Sequence, residues 1–182
     1  GYSVQQVGLM IMGIPVAMGV VAPVAGSLSD RWGSRWICLA GLLVTGLGCL
    51  ALGTMGPETG VFGFVLRCIP FGLGMGLFQA PNNSAIMGQA PRDQLGVVSG
   101  LLNYSRVIGQ TSGLPLVGAL LTAFVAMQVR LESRTDLAGV DADVLTGAVN
   151  QTFQVLALVM LVVAGLAVWA LLEDRKRSRE AS

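Results

Sequence analysis

The sequence predicts an all-α membrane protein, a polytopic helix bundle of five transmembrane helices. Composition is the first reason: 53% of the 182 residues are hydrophobic and only 12% are charged. That is about half the charged share of an ordinary soluble domain. The second is patterning, since the few charges gather in short stretches between long apolar runs, and mean hydropathy is +0.71. Each run reaches the roughly 20 residues that cross about 30 Å of hydrocarbon. The third is that these runs are apolar all round, whereas soluble-core helices carry one apolar stripe.

The first span is expected over residues 4–28, with Pro15 and Pro23 as kinks that a membrane bundle tolerates. The charged, glycine-bearing decapeptide from Gly26 to Arg35 reads as a tight link to a second span over 36–55. Met55-Gly56-Pro57-Glu58-Thr59-Gly60 is a turn cluster. A third span occupies 61–80, and Pro81-Asn82-Asn83-Ser84 is read as its break. After a charged connection at Pro91-Arg92-Asp93-Gln94, a fourth span runs over 96–126. The long polar loop from Gln128 to Gln151 follows, holding Arg130, Glu132, Arg134, Asp136, Asp141 and Asp143. The fifth span covers 152–172, so 1–172 form the membrane domain and 173–182 a basic cytoplasmic tail.

Charge supports this count. Five spans put Arg31, Arg35, Arg92, Arg175, Lys176, Arg177 and Arg179 on one side and only Arg130 and Arg134 on the other. By the positive-inside rule the first side is the cytoplasm, which leaves the C-terminus there. The expected location is the plasma (inner) membrane.

Chemistry is bounded as well. There is no histidine, which removes Ser-His and Cys-His pairs and most zinc sites. Cys38, Cys49 and Cys68 lie in apolar runs without metal-ligand spacing and read as small core residues. We expect no catalytic residues, no metal, no cofactor and no enzymatic activity. A net charge of +1 and a short, membrane-tethered basic tail argue against nucleic acid; the tail reads as an anchor on anionic lipid. The chain opens Gly1-Tyr2-Ser3 without an initiator methionine or a signal-peptide pattern. It is expected to be a fragment of a longer protein.

Within the decapeptide, Gly26-x-Leu28-x-Asp30-Arg31-x-Gly33-x-Arg35 resembles the cytoplasmic loop signature of the major facilitator superfamily, with Ser34 as one extra residue before the last arginine. Glycines permit a tight turn, Asp30 suits a helix N-terminus across an interface, and the arginines suit acids there. The resemblance implies that Gly26, Leu28, Asp30, Arg31, Gly33 and Arg35 form a latch that holds the cytoplasmic side shut. The alternative is an ordinary basic turn.

Two further blocks, Arg67 to Ser84 and Gly96 to Gly113, are similar to the fourteen-helix drug:proton antiporter branch of that superfamily. On this likeness the chain is the last five helices of the C-terminal half, and its partner is the missing N-terminal half of the same transporter. The resemblance implies multidrug efflux by alternating access, with small lipophilic or amphiphilic substrates and protons as the other partners. A different class, a small membrane scaffold or assembly protein without transport, remains the alternative. Pro70, Gly72, Gly74, Gly76, Pro81, Gly109 and Gly113 are read as kink and helix-packing positions. Gly72-Leu73-Gly74-Met75-Gly76 has no preceding strand and is not read as a nucleotide loop.

Arg106 is the most informative charge. Ser99, Asn103, Arg106, Gln110 and Gly113 recur every three or four residues, one polar stripe on a helix. Asn103, Arg106 and Gln110 are therefore expected to line a pathway, the alternative being an arginine that snorkels while its neighbours bond other helices. Arg67 lies nearer a span end and is expected to snorkel. No Asp or Glu falls inside a span, so a proton-carrying carboxylate is expected elsewhere in the protein.

Overall fold

In the computed structural model the described residues are 3–56, 58–131 and 142–180. They form six α-helices: α1 (Val4–Ile11), α2 (Gly13–Trp32), α3 (Ser34–Leu52), α4 (Val61–Gly88), α5 (Leu95–Leu131) and α6 (Ala142–Glu180), with one 3-10 turn at Arg92–Gln94. Five helical runs are long and apolar enough to cross a membrane: Gln5–Trp32, Ser34–Leu52, Val61–Gly88, Arg92–Val129 and Ala142–Glu173. The all-α, five-span reading therefore stands, and the chain is a multi-pass integral membrane protein.

Local chemistry explains the ends. Ser3 and Gln6 open α1 with a reciprocal capping box: Ser3 N donates to Gln6 Oε1 at 2.9 Å and Gln6 N donates to Ser3 Oγ at 3.3 Å. Met12 separates α1 from α2, because Pro15 has no N–H for the carbonyl of Ile11. At the other end of α2 the chain turns in a single residue. Gly33 has φ 86° and ψ 138°, and its N–H closes the helix on Ser29 O at 2.9 Å. A side chain is strained there.

Five expected boundaries need correction: the second span, expected to Met55, ends at Leu52, and the other four move toward longer helices. Residues 26–32, read as part of a link, are helical, and only Gly33 stands outside helix between α2 and α3. Pro81-Asn82-Asn83-Ser84 does not break the third span: α4 carries both Pro70 and Pro81 inside it and runs on to Gly88. In hydrocarbon an unpaired backbone group costs several kcal/mol, so unwinding loses more than the one bond each proline deletes. The fourth span starts at the 3-10 turn and continues to Leu131. The fifth starts at Ala142, inside the expected polar loop, because Val144, Ala148 and Thr152 form a buried row at helical spacing. The backbone of the basic tail continues this helix to Glu180. Gly1, Tyr2, Pro57, the loop charges Glu132, Arg134, Asp136 and Asp141, and residues 181–182 lie outside the described residues.

Helix α4 is the spine. It packs against α2 on one side and α3 on the other; α6 lies along α3, and α5 lies mainly against α6. Backbone meets backbone at the α4 contacts. A Cβ placed on Gly48 would sit 2.5 Å from Phe71 N, and one on Gly41 2.6 Å from Phe78 N. From α4, Gly74 faces the backbone of Thr45, while a Cβ on Gly72 or Gly76 would come within 2.6 Å of Ile14 O or Val21 Cγ1. Small residues let membrane helices approach this closely, and the resulting dispersion contact takes the place of a hydrophobic driving force. Cys49 and Cys68, each 1% exposed, and the fully buried Pro81 fill the same seam. By contrast, Gly109 and Gly113, also expected at a helix contact, meet nothing within 4 Å.

Gly74→Val is expected to lower thermal stability in detergent by about 1–3 kcal/mol or more, because its methyls must displace α3 backbone. Gly33→Ala should cost a similar ~1–3 kcal/mol through its backbone angles alone. An unfolding transition unmoved in either variant would contradict the respective contact.

Candidate functional site: a cavity between the third, fourth and fifth long helices

Because α5 leans on α6 and touches α4 only lightly, a gap stays open between them. It is a cavity of about 560 Å³, within the usual size range of small-molecule sites. Helix α4 supplies Met75, Phe78, Gln79, Asn82, Asn83 and Ile86. Except for Asn83, one position further round, these follow i, i+3, i+4, i+7 and i+11 spacing, one face of a continuous helix. Helix α5 supplies Val98, Leu101, Leu102 and Ser105 at i, i+3, i+4 and i+7, together with Arg106. Leu42 and Thr45 of α3 and Met160 of α6 complete the wall.

Its polar groups are of two kinds. Thr45 and Ser105 spend their hydroxyl protons inside their own helices, on Gly41 O at 2.8 Å and Leu101 O at 2.9 Å. No described residue hydrogen-bonds the side chains of Gln79, Asn82, Asn83 or Arg106. Gln79, Asn83 and Arg106 also border a second hollow of about 240 Å³ against Met18 and Ala22 of α2. The guanidinium thus stands where the two spaces meet. It lies eleven residues into the 37-residue α5, about 16 Å along the axis; at a span centre an arginine costs roughly 2.5–3.5 kcal/mol to insert. An open polar hollow reduces that cost.

Of the three residues expected along a pathway, Arg106 is on the cavity. All three are exposed, and Asn103 and Gln110 do not line the cavity. Sequence reasoning missed Asn82 and Asn83 because it read the Pro81 segment as a break, which left Gln79, inside the third span, without its helical companions. The available signal was their i, i+3, i+4 spacing. Arg67 turns toward its span end, donating from Nη1 to Gly63 O at 3.1 Å and from Nε to Thr54 Oγ1 at 3.3 Å. Nearby, Asn150 Nδ2 ties α6 to Met55 O at 2.7 Å.

The latch-motif residues collect at one end of the bundle. Asp30, Arg31, Gly33 and Arg35 are exposed, and Gly26 and Leu28 are half-buried. No described residue forms an ion pair with Asp30. Ser34 and Arg35 also border a groove of about 370 Å³ between α3, α4 and α6, which shares Leu42, Phe78 and Asn82 with the large cavity. Among the described residues no cluster of three His, Cys, Asp or Glu side chains is placed to hold a metal.

The family model for the Major Facilitator Superfamily matches residues 1–182. The chain belongs to this superfamily. Among curated relatives, the Uncharacterized transporter YebQ of Escherichia coli (strain K12) is 36% identical over 124 residues, covering 68% of this chain and 27% of the relative. The Multidrug resistance protein Stp of Mycobacterium tuberculosis is 33% identical over 127 residues, or 69% of this chain and 23% of that one. The Riboflavin transporter RibZ of Clostridioides difficile (strain 630) is 26% identical over 121 residues, 66% and 26% respectively. The chain therefore spans about a quarter of the length of the curated relatives it matches. No solved structure matches it. Within this superfamily chain, the cavity is a concave feature bounded by α3, α4, α5 and α6.

A cysteine at Asn83, in a protein with Cys38→Ser, should react with a small hydrophilic thiol reagent, whereas the buried Cys49 and Cys68 stay silent. Labelling of Cys49 or Cys68 with a silent Asn83→Cys would remove the open cavity.

Proposed function

We propose that the chain is the C-terminal portion of a secondary active transporter that exports small lipophilic or amphiphilic molecules, of multidrug type, by alternating access. The observation that carries this reading is the cavity between the long apolar helices, with an arginine and three carboxamides set into largely apolar walls. A purely structural bundle gains nothing from placing those groups in lipid, where each is costly unless it faces water or a ligand. Superfamily membership and the printed name of Stp support the same direction.

In this account the protein lies in the plasma membrane with residues 26–35 and the C-terminus in the cytoplasm. The N-terminal half of the transporter lies outside this chain and meets the exposed Asp30–Arg35 end. There Asp30 and its neighbouring arginines form one side of the latch that opens once per cycle. Export is proton-coupled, and the proton-binding carboxylate belongs to the rest of the protein, since no Asp or Glu falls within the apolar cores of the spans.

Efflux of a fluorescent amphiphile from everted vesicles carrying the full-length protein tests this. Energised vesicles should accumulate the dye, and Asp30→Asn should slow accumulation about fivefold or more at equal protein level, the size of an ordinary coupling term. A parent protein that moves no dye would contradict transport, and an unaltered Asp30→Asn rate would contradict the latch.

A further inference from the structure

The cavity carries charge of one sign. Arg106 is the charged side chain on its wall, and among the described residues no Asp or Glu borders either the 560 Å³ space or the 240 Å³ hollow beside it. Gln79 and Asn83 border both spaces with Arg106. They offer amide donors and acceptors beside the guanidinium. Beside them on the wall are the apolar side chains of Leu42, Met75 and Phe78.

These facts select a ligand chemistry. A guanidinium is a planar fork that matches a carboxylate with two parallel hydrogen bonds, and it cannot be neutralised by losing a proton. With no described carboxylate beside it, its fixed positive charge attracts an anion and opposes a cation. The carboxamides donate to the same anion or to polar atoms next to it. Phe78 and Met75 accept a flat or flexible apolar body.

We propose that this cavity takes an amphiphile bearing a carboxylate, held through Arg106 and oriented by Gln79 and Asn83, and that it discriminates against lipophilic cations. This inference rests on the transport reading above and narrows its substrate class. Arg106 reads the charge, Gln79 and Asn83 fix the pose, and the apolar wall accepts varied bodies behind a constant head group.

The test uses a matched set of dyes on the full-length protein: a xanthene carboxylate, its methyl ester, and a cationic rhodamine of similar size. Binding is measured by fluorescence anisotropy in nanodiscs, and transport separately in everted vesicles. The carboxylate should bind about tenfold or more tighter than the ester, with the cation weakest. Arg106→Gln should bring the carboxylate down to the ester's level, and Arg106→Lys should fall between. Arg92→Gln, the same charge change at an exposed turn, should leave the ranking alone. A parent protein that binds the cation or the ester as tightly as the carboxylate overturns the proposal, as does one that binds no carboxylate dye. So does an Arg106→Gln protein that keeps the parent's preference. Selective binding without movement in vesicles would leave the ligand assignment standing and bring down the transport reading; movement of the cation alone would do the reverse.

Discussion

Hydrocarbon offers a peptide group nothing to bond, and that constraint organises this molecule. Every backbone N–H and C=O inside the bilayer needs its partner within the helix. The consequence is visible at most turn-forming residues within the spans, Pro15 being an exception that interrupts helix, at Met12. Pro70 and Pro81 stay inside α4, Pro115 stays inside α5, and the chain leaves helix between α2 and α3 for the single residue Gly33. In water the stretch Pro81-Asn82-Asn83-Ser84 would favour a turn, because asparagine and serine side chains compete for backbone groups. Here unwinding would strand several backbone groups to relieve one proline.

Continuity of α4 then decides the packing. Glycines on it at 72, 74 and 76, with those of α3 at 41 and 48, bring three helices together at backbone distance. Such a seam admits the small Thr45, whose hydroxyl bonds Gly41 O, but has no room for a long carboxamide. Gln79, Asn82 and Asn83 therefore occupy the remaining face of α4, toward the gap that α5 leaves by leaning on α6. Tight packing on two sides and a polar opening on the third are aspects of one arrangement. The glycines of α5 at 100, 109, 113 and 118 lie against no described neighbour.

The five crossings were legible in the sequence because span existence depends on apolar length, and length survives any detail of packing. Helix ends were not, since a helix can overshoot the bilayer wherever a buried row such as Val144, Ala148 and Thr152 continues to support it. Arg106 stood out as a charge deep in an apolar run and does border the cavity. Its expected companions Asn103 and Gln110 lie about one residue's rotation away from that wall. Periodicity identified a stripe without saying which side of α5 the other helices occupy. Asn82 and Asn83 were overlooked because turn chemistry learned in water was applied to lipid, which left Gln79 without its helical companions. Read as helix, their spacing points to one face.

All of this requires that the apolar runs cross the membrane five times, with the motif from Gly26 to Arg35 on the same side as the C-terminal end. Single cysteines at Trp32, Glu58 and Arg92 and one after the C-terminus, labelled with an impermeant maleimide in intact cells and in everted vesicles, measure this directly. The account predicts that only the Glu58 position labels from outside, and that the other three label only in everted vesicles. Trp32 and the C-terminal end labelling from opposite faces would contradict it.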